Sequence, residues 1–437
     1  MISRPACALV AGTLTAALLG ACSSGTATPT ATGSGAGAAS ASANGIAGTQ
    51  IDVLSLWAKG SPEGDALRRA TDAFAAKTGA VVKIVDAGEN LVDVYETSVA
   101  AGKEADVIFV NLAEKSTGWT KSGAAVPVGD YLTQWGLKDK VKPEAIAQWT
   151  TDGKVSGFPY SGFVWPVWFN KDLLTKAGVD KIPTTTDDLI AAAKKLKESG
   201  ASEAISIGGN DWSGNKLFLQ IIQSYASADA FKGVLAKGSY CADADVKKGV
   251  DLFVQLRDAG VFVKDAQGFT ADTMNTTFYT KKAAIMPAGS WAFAKTPPDV
   301  SATTELSGFP IPAGSRFTKP TAYNGYTGVG IFLSPNGIKK LDAVKAYVQA
   351  MYAKEVLADF VSTANLVPAA TVAGATNKDP LLTQAVSALG DKVEYAVMPD
   401  TYIPPKVADK LIKASSQAFT PGVDAGAICS AVDKAYQ

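Results

Sequence analysis

Between residues 51 and 110 the chain alternates apolar strand-like runs with amphipathic stretches, and no other feature narrows the choice of folds as far. Ile51-Asp52-Val53-Leu54-Ser55-Leu56-Trp57 reads as a strand. A helix from about Gly64 to Thr78 places Leu67, Ala70, Thr71 and Phe74 on one face and stops at Gly79. Val81 to Val85 is a second strand. Asn90 to Ala101 is a second helix, with Leu91, Val94, Tyr95 and Val99 inward, and Asp106 to Val110 is a third strand. Strand, helix, strand, helix, strand implies a parallel sheet with right-handed crossovers, whose ligands lie beyond the carboxyl ends of the strands. That rule points at Trp57, Lys59 and Asn111.

Further along, Phe158-Pro159-Tyr160 leads into Val164 to Asn170, and Thr185-Thr186-Asp187-Asp188 has the form of a helix start with a capping box. Leu189, Ala192, Ala193 and Leu196 then share a face, and Gly200 ends the helix. Ile205 to Ile207 is a short strand emptying into the polar loop Gly208-Gly209-Asn210-Asp211-Trp212. Helical patterns return over Lys216 to Tyr225 and Val246 to Ala259. Ala283 to Met286 is a strand entering Ala288 to Trp291, Gly328 to Leu333 is another strand, and a helix runs from Leu341 to Tyr352.

The N-terminus carries an address. Arg4 precedes an apolar run from Ala6 to Leu19, too short to span a bilayer comfortably, and small residues lead to Cys22. Leu19-Gly20-Ala21-Cys22 resembles a bacterial lipobox, which implies cleavage before Cys22 and acylation of its thiol. Residues 1–21 are then a signal peptide. Residues 22–48 are almost entirely Ser, Gly, Ala and Thr and form a flexible, lipid-anchored leash. Lys+Arg and Asp+Glu both total 41, so the balanced charge gives no electrostatic case for nucleic acid or an anionic membrane surface. With no His in the chain, His-based catalysis and most zinc or copper sites drop out, and neither a cofactor nor a metal is expected. Of four cysteines, Cys7 leaves with the signal and Cys22 is acylated. Cys241 and Cys429 remain, either joined by a disulfide outside the cytoplasm or left as two separate buried thiols.

Three stretches resemble the extracellular solute-binding proteins of carbohydrate importers, the group that includes maltose-binding protein. Ala105 to Val110 followed by Lys121-Ser122-Gly123 is similar to the family's third strand and loop. Gly157 to Leu174, with Trp168-Phe169-Asn170-Lys171-Asp172-Leu173-Leu174, resembles the segment before the family's P-x-T-x-x-E/D-L helix, here Pro183 to Leu189. Phe278 to Trp291 resembles the segment ending G-x-W. The resemblance extends over everything after about Gly48. It implies a two-lobed α/β fold with a hinge and an interlobe ligand cleft. The first lobe would hold residues 49–159 and 311–363, and the second 160–310 and 364–437. Cys241 and Cys429 would then share a lobe. It also implies a monomeric, extracytoplasmic lipoprotein, held at the cell membrane, that delivers a sugar, expected to be an oligosaccharide, to the permease of an ABC importer.

A sugar offers an apolar C–H face and a rim of hydroxyls, so its site needs flat aromatic platforms and groups that donate and accept. Trp57, Trp165, Trp212, Trp291 and Tyr402 lie at strand ends or breaks. Trp57 and Trp165 could equally seal a core. Trp291 matches the family position that stacks on sugar. Lys59, Glu63, Asn111, Asn210, Asp211 and Asp400 are the hydroxyl candidates, unless they simply form solvated surface. Asn324 and Tyr326 fall in a glycine-rich segment that resembles a first-lobe loop reaching the ligand. That loop and Asn111 depart from the maltose-binding pattern, so a maltodextrin does not carry over. A glycosidase needs two acids paired across a bond, and no motif pairs them. The same residues are also compatible with capture of a non-sugar solute, or with a purely structural lipoprotein.

Overall fold

In the computed structural model, residues 44–372 and 379–437 are described. The expected signal peptide, Cys22 and most of the leash lie outside them. Strands β1 (Gln50–Ser55), β2 (Val81–Asp86) and β3 (Val107–Val110) pair in parallel, with β1 in the middle. The connecting helices are Pro62–Thr78 and Leu91–Ala100. Ser61 caps the first by accepting from the Gly64 amide, and Gly79 closes it in the left-handed conformation (φ 73°) that a residue without Cβ adopts freely. In the second, Leu91 and Tyr95 are buried, but Val94 is exposed and Val99 only half-buried. The inward stripe is one residue pair narrower than the apolar pattern suggests: Leu91 and Tyr95 pack with Leu54 of β1 and Ile108 and Val110 of β3.

Two sheets organise the rest. The first has seven strands. β1–β3 continue into β9 (Thr321–Leu333), β4 (Phe158–Trp165) and β10 (Val367–Pro368), in the order β10-β4-β9-β3-β1-β2, with β11 (Glu394–Tyr395) also on β9. β9 runs antiparallel to both β3 and β4, so the sheet is mixed rather than purely parallel. The second sheet has the order β8-β5-β7-β6, from β5 (Val167–Asn170), β6 (Glu203–Ile205), β7 (Ala283–Pro287) and β8 (Thr304–Ser307). Only Pro166 separates β4 from β5, so the chain steps directly from one sheet to the other.

Each sheet has its own core. Ile51, Val53, Phe109, Phe158, Tyr160, Ile331, Tyr347 and Phe360 belong to one, together with Leu366, Ala369 and Ala370. Trp168, Phe169, Phe218, Phe253, Ile285 and Phe293 belong to the other, with Leu381 to Val432 contributing from the tail. Leu54, Tyr95, Ile108, Trp119, Trp149 and Phe332 form a further cluster on the first sheet, and a small fourth one joins Trp165, Phe317, Tyr323 and Ala396 where β4 and β9 leave the first core.

Several sequence expectations need adjusting. Gly328–Leu333 is the end of a 13-residue strand, and Tyr323 to Thr327 is part of that strand rather than a loop. Register shifts between Gly325 and Gly330 relieve the length of the β4–β9 pairing. The helix expected from Lys216 begins at Trp212 and ends at Ile222, because Asp211 accepts from the Ser213 amide and caps it. Trp212 therefore opens a helix instead of sitting in a loop. The expected capping at Thr185 is present, its hydroxyl accepting from Asp188 at 3.2 Å, and Gly200 ends that helix at φ 64°. Cys241 and Cys429 are joined by a disulfide, with Cα atoms 5.3 Å apart.

Candidate ligand-binding site

Three indoles predicted from scattered parts of the chain meet. Trp165 ends β4, Trp212 starts its helix, and Trp291 follows β7. Their centroids lie 5.6 Å apart for Trp165–Trp212, 5.6 Å for Trp165–Trp291 and 5.9 Å for Trp212–Trp291, all tilted or edge-to-face. Phe163 meets Trp291 at 5.8 Å and Tyr323 meets Trp165 at 6.2 Å. Edge-to-face geometry matches the positive rim of one ring to the negative face of the next, about 0.5–1.5 kcal/mol per pair beyond burial. Trp165 is the buried floor at 1% exposure, whereas Trp291 is 39% exposed. An exposed indole held against the buried Trp165 and the half-buried Trp212 can offer a flat face without collapsing.

Beside this bank lies a pocket of about 210 Å³, lined by Gln148, Lys232, Asn324, Thr327, residues 396–398, Asp400, Thr401 and Tyr402. Its walls come from both cores. Gln148 ends the helix Pro143–Gln148, which buries Ala145 in the first core. Lys232 lies on Ala228–Lys237, which buries Phe231 and Leu235 in the second. Asn324 and Thr327 come from β9 between them. Thr327 Oγ1 of the pocket lining and Trp165 Nε1 of the indole floor are buried with no partner among the described residues. Such groups cost free energy unless a hydrogen bond is supplied, and a polar ligand can supply it.

Other named residues are placed differently. Trp57 is half-buried against Phe109, Tyr160 and Phe360, with centroids 5.3–6.2 Å away, and so seals the first core apart from the indole bank. Lys59 and Asn210 are exposed, and Asn111 is half-buried. The Asp211 carboxylate is taken up by the Ser213 amide and hydroxyl and by the Ala271 amide at 2.6 Å, tying two helix starts together. Tyr326 turns toward the first core side: its hydroxyl accepts from Lys142 and its amide donates to Gln148 at 2.6 Å. Glu63 is 8% exposed in the first turn of Pro62–Thr78. Burial pushes its carboxyl above the ordinary range, against the pull of Lys295 and a bond with Ser61. Asp400 is buried and ion-paired with Lys216, whose ammonium lies 5.6 Å from the Trp165 ring centroid.

Gln148, Lys216, Lys232 and Thr327 escaped sequence reasoning. No local pattern marks them, since each is brought to the site by an element paired far away in the chain.

Two α/β layers with separate cores, sharing a polar pocket and a bank of indoles, define a protein built to hold a small ligand between two halves. This chain belongs to the bacterial extracellular solute-binding protein family, whose model matches residues 58–358. A crystal structure of a probable secreted solute-binding lipoprotein from Streptomyces coelicolor is 41% identical, with a TM-score of 0.77, and the match covers 89% of this chain and 98% of that one. A fructooligosaccharide ABC transporter substrate-binding protein from Streptococcus pneumoniae is 29% identical over 174 residues, 34% of this chain and 32% of that protein. The sn-glycerol-3-phosphate-binding periplasmic protein of Brucella abortus is 41% identical over 86 residues, 18% of this chain and 20% of that protein. The chain spans less than half the length of the first curated relatives it matches.

Proposed function

We propose that this protein captures a neutral sugar outside the cytoplasm and hands it to the permease of an ABC importer, as a monomer tethered to the membrane through acylated Cys22. The observation that carries the reading is the contact of Trp165, Trp212 and Trp291 beside a pocket walled by Asn324, Asp400 and Tyr402. Indole faces match the C–H face of a sugar ring, and the few convergent polar groups match its hydroxyls. The fructooligosaccharide-binding relative favours the same ligand class. The pocket's 210 Å³ is below the roughly 300–1,000 Å³ of drug-sized sites, which favours one ring inside and any further rings of an oligosaccharide projecting outward.

The two cores serve as lobes that close on the ligand, with β4 and β9 as the hinge strands. In this reading the lobes are residues 49–159 and 311–363 and residues 160–310 and 364–437, with exceptions at their borders. Ala322 packs in the second core, and Tyr160, Leu366, Ala369 and Ala370 pack in the first. A binding role is favoured over glycoside hydrolysis because Asp211 is committed to helix caps and Asp400 to Lys216, which leaves no free acid pair among the described residues at the pocket.

A thermal-shift panel of neutral mono- and oligosaccharides tests the reading. At a ligand concentration of 100 Kd, binding stabilises the fold by about 2.7 kcal/mol, so at least one sugar raises Tm. No shift with any sugar, alongside a shift with a charged solute, would overturn it.

A further inference from the structure

The helix Trp212–Ile222 is buried on every side from Ser213 onward, and in its middle sits a lysine. Lys216 is 8% exposed and Asp400 5% exposed. Lys216 Nζ bonds Asp400 Oδ1, and no second partner for that carboxylate is seen among the described residues. Tyr323 Oη donates to the Lys216 carbonyl at 3.2 Å, fastening this turn of helix to β9. The same ammonium lies against the ring of Trp165. One side chain thus touches both the indole floor and the acid of the pocket wall.

Fold stability gives little reason for the pair. Desolvating two charges commonly costs more than their attraction returns, and uncharged replacements of similar volume are often as stable or more so. A pair kept beside a pocket calls for another role. The carboxylate's second oxygen is open to a ligand hydroxyl, and a charge-assisted bond there is shorter and stronger than a neutral one. The paired ammonium meanwhile cancels the charge. Lys232, the cation of the pocket lining, is bonded to Asp229 at 3.2 Å and covers Tyr402, and the lining holds no arginine. Bidentate recognition of phosphate or carboxylate relies on arginine, which the pocket lacks.

We propose that Lys216 is a positioning residue: it aims and neutralises Asp400, so that the site selects an uncharged polyhydroxylated ring over phosphorylated or carboxylated solutes. This rests on the sugar-capture reading above and names the groups that set its selectivity.

The test compares the mature wild-type chain with Lys216→Met, Asp400→Asn and the double variant Lys216→Met/Asp400→Asn. Melting curves are recorded for each. Titration calorimetry uses the neutral sugar that gives the largest thermal shift, with sn-glycerol 3-phosphate as the charged probe. The double variant is expected to melt at or near the wild-type temperature while binding the sugar about tenfold or more weakly. Wild type is expected to bind sn-glycerol 3-phosphate at least a hundredfold more weakly than that sugar. A double variant with wild-type affinity overturns the proposal, as does one that melts well below wild type, which marks the pair as framework. Tight binding of sn-glycerol 3-phosphate also overturns it. Should a single variant fail to fold, the double variant still decides. A wild-type chain that binds no sugar of the panel overturns the sugar reading, and this inference with it.

Discussion

Gly289 lies beneath the indole of Trp291, so close that a Cβ built on it would overlap Cη2, Cζ3 and Cζ2 of that ring. The backbone of Gly289 is ordinary (φ −80°), so the requirement is for space rather than for an unusual conformation. The indole folds back over its own chain, with Phe163 and Trp212 as tilted or edge-to-face ring neighbours. Gly289→Ala must displace the ring. The expected result is sugar affinity lowered by about as much as in Trp291→Ala, at least tenfold or about 1.4 kcal/mol, with a shift in tryptophan emission before any ligand is added. Unchanged emission and affinity would show that the ring tolerates the methyl group.

The disulfide closes a sequence separation of 188 residues and ties the turn after Tyr240 to the helix Ala425–Lys434. Asp433 reinforces the junction by accepting from the Tyr240 amide at 2.7 Å and the Cys241 amide at 3.1 Å. Cross-linking so long a loop restricts the unfolded chain. Cys241→Ser with Cys429→Ser is expected to lower stability by about 2–5 kcal/mol in urea unfolding, with sugar affinity intact because the bridge is packed in the second core. An unchanged unfolding midpoint would contradict this.

Glu63 gives a pH dependence of defined sign. Burial raises its folded-state pKa above the unfolded value, so its contribution to stability is fully present below the ordinary carboxylate pKa. That contribution is lost as pH rises through the raised value. Glu63→Gln has no such titration. The variant's Tm relative to wild type is therefore expected to climb as pH rises from the ordinary carboxylate value through the raised one. A difference that shrinks over that interval would mean that the attraction of Lys295 outweighs desolvation.

The βαβαβ opening was legible from sequence because strands and helices there bury one face each, and the period of the apolar residues reports which. Legibility fell where burial is two-sided. The helix Trp212–Ile222 is enclosed, so polar Asn215, Lys216 and Gln220 lie inside it, and no amphipathic stripe marks its start. Likewise Tyr323-Asn324-Gly325-Tyr326 carries turn-like glycines yet lies in β9, where pairing with β4 overrides local preference. The tryptophans were found because large aromatics at strand ends are few. Whether each faces a cleft or a core depends on long-range partners. Phe360 gives Trp57 a core to cover, while Trp212 and Trp291 give Trp165 a bank to support.

Sugar capture by this fold depends on a ring resting against Trp291. Titration calorimetry of the mature chain with the best sugar of the panel, in wild type and in Trp291→Ala, measures this directly. One-to-one binding by wild type, weakened at least tenfold in the variant at equal melting temperature, is the predicted result. Equal affinities in the two proteins would place the ligand elsewhere and contradict it.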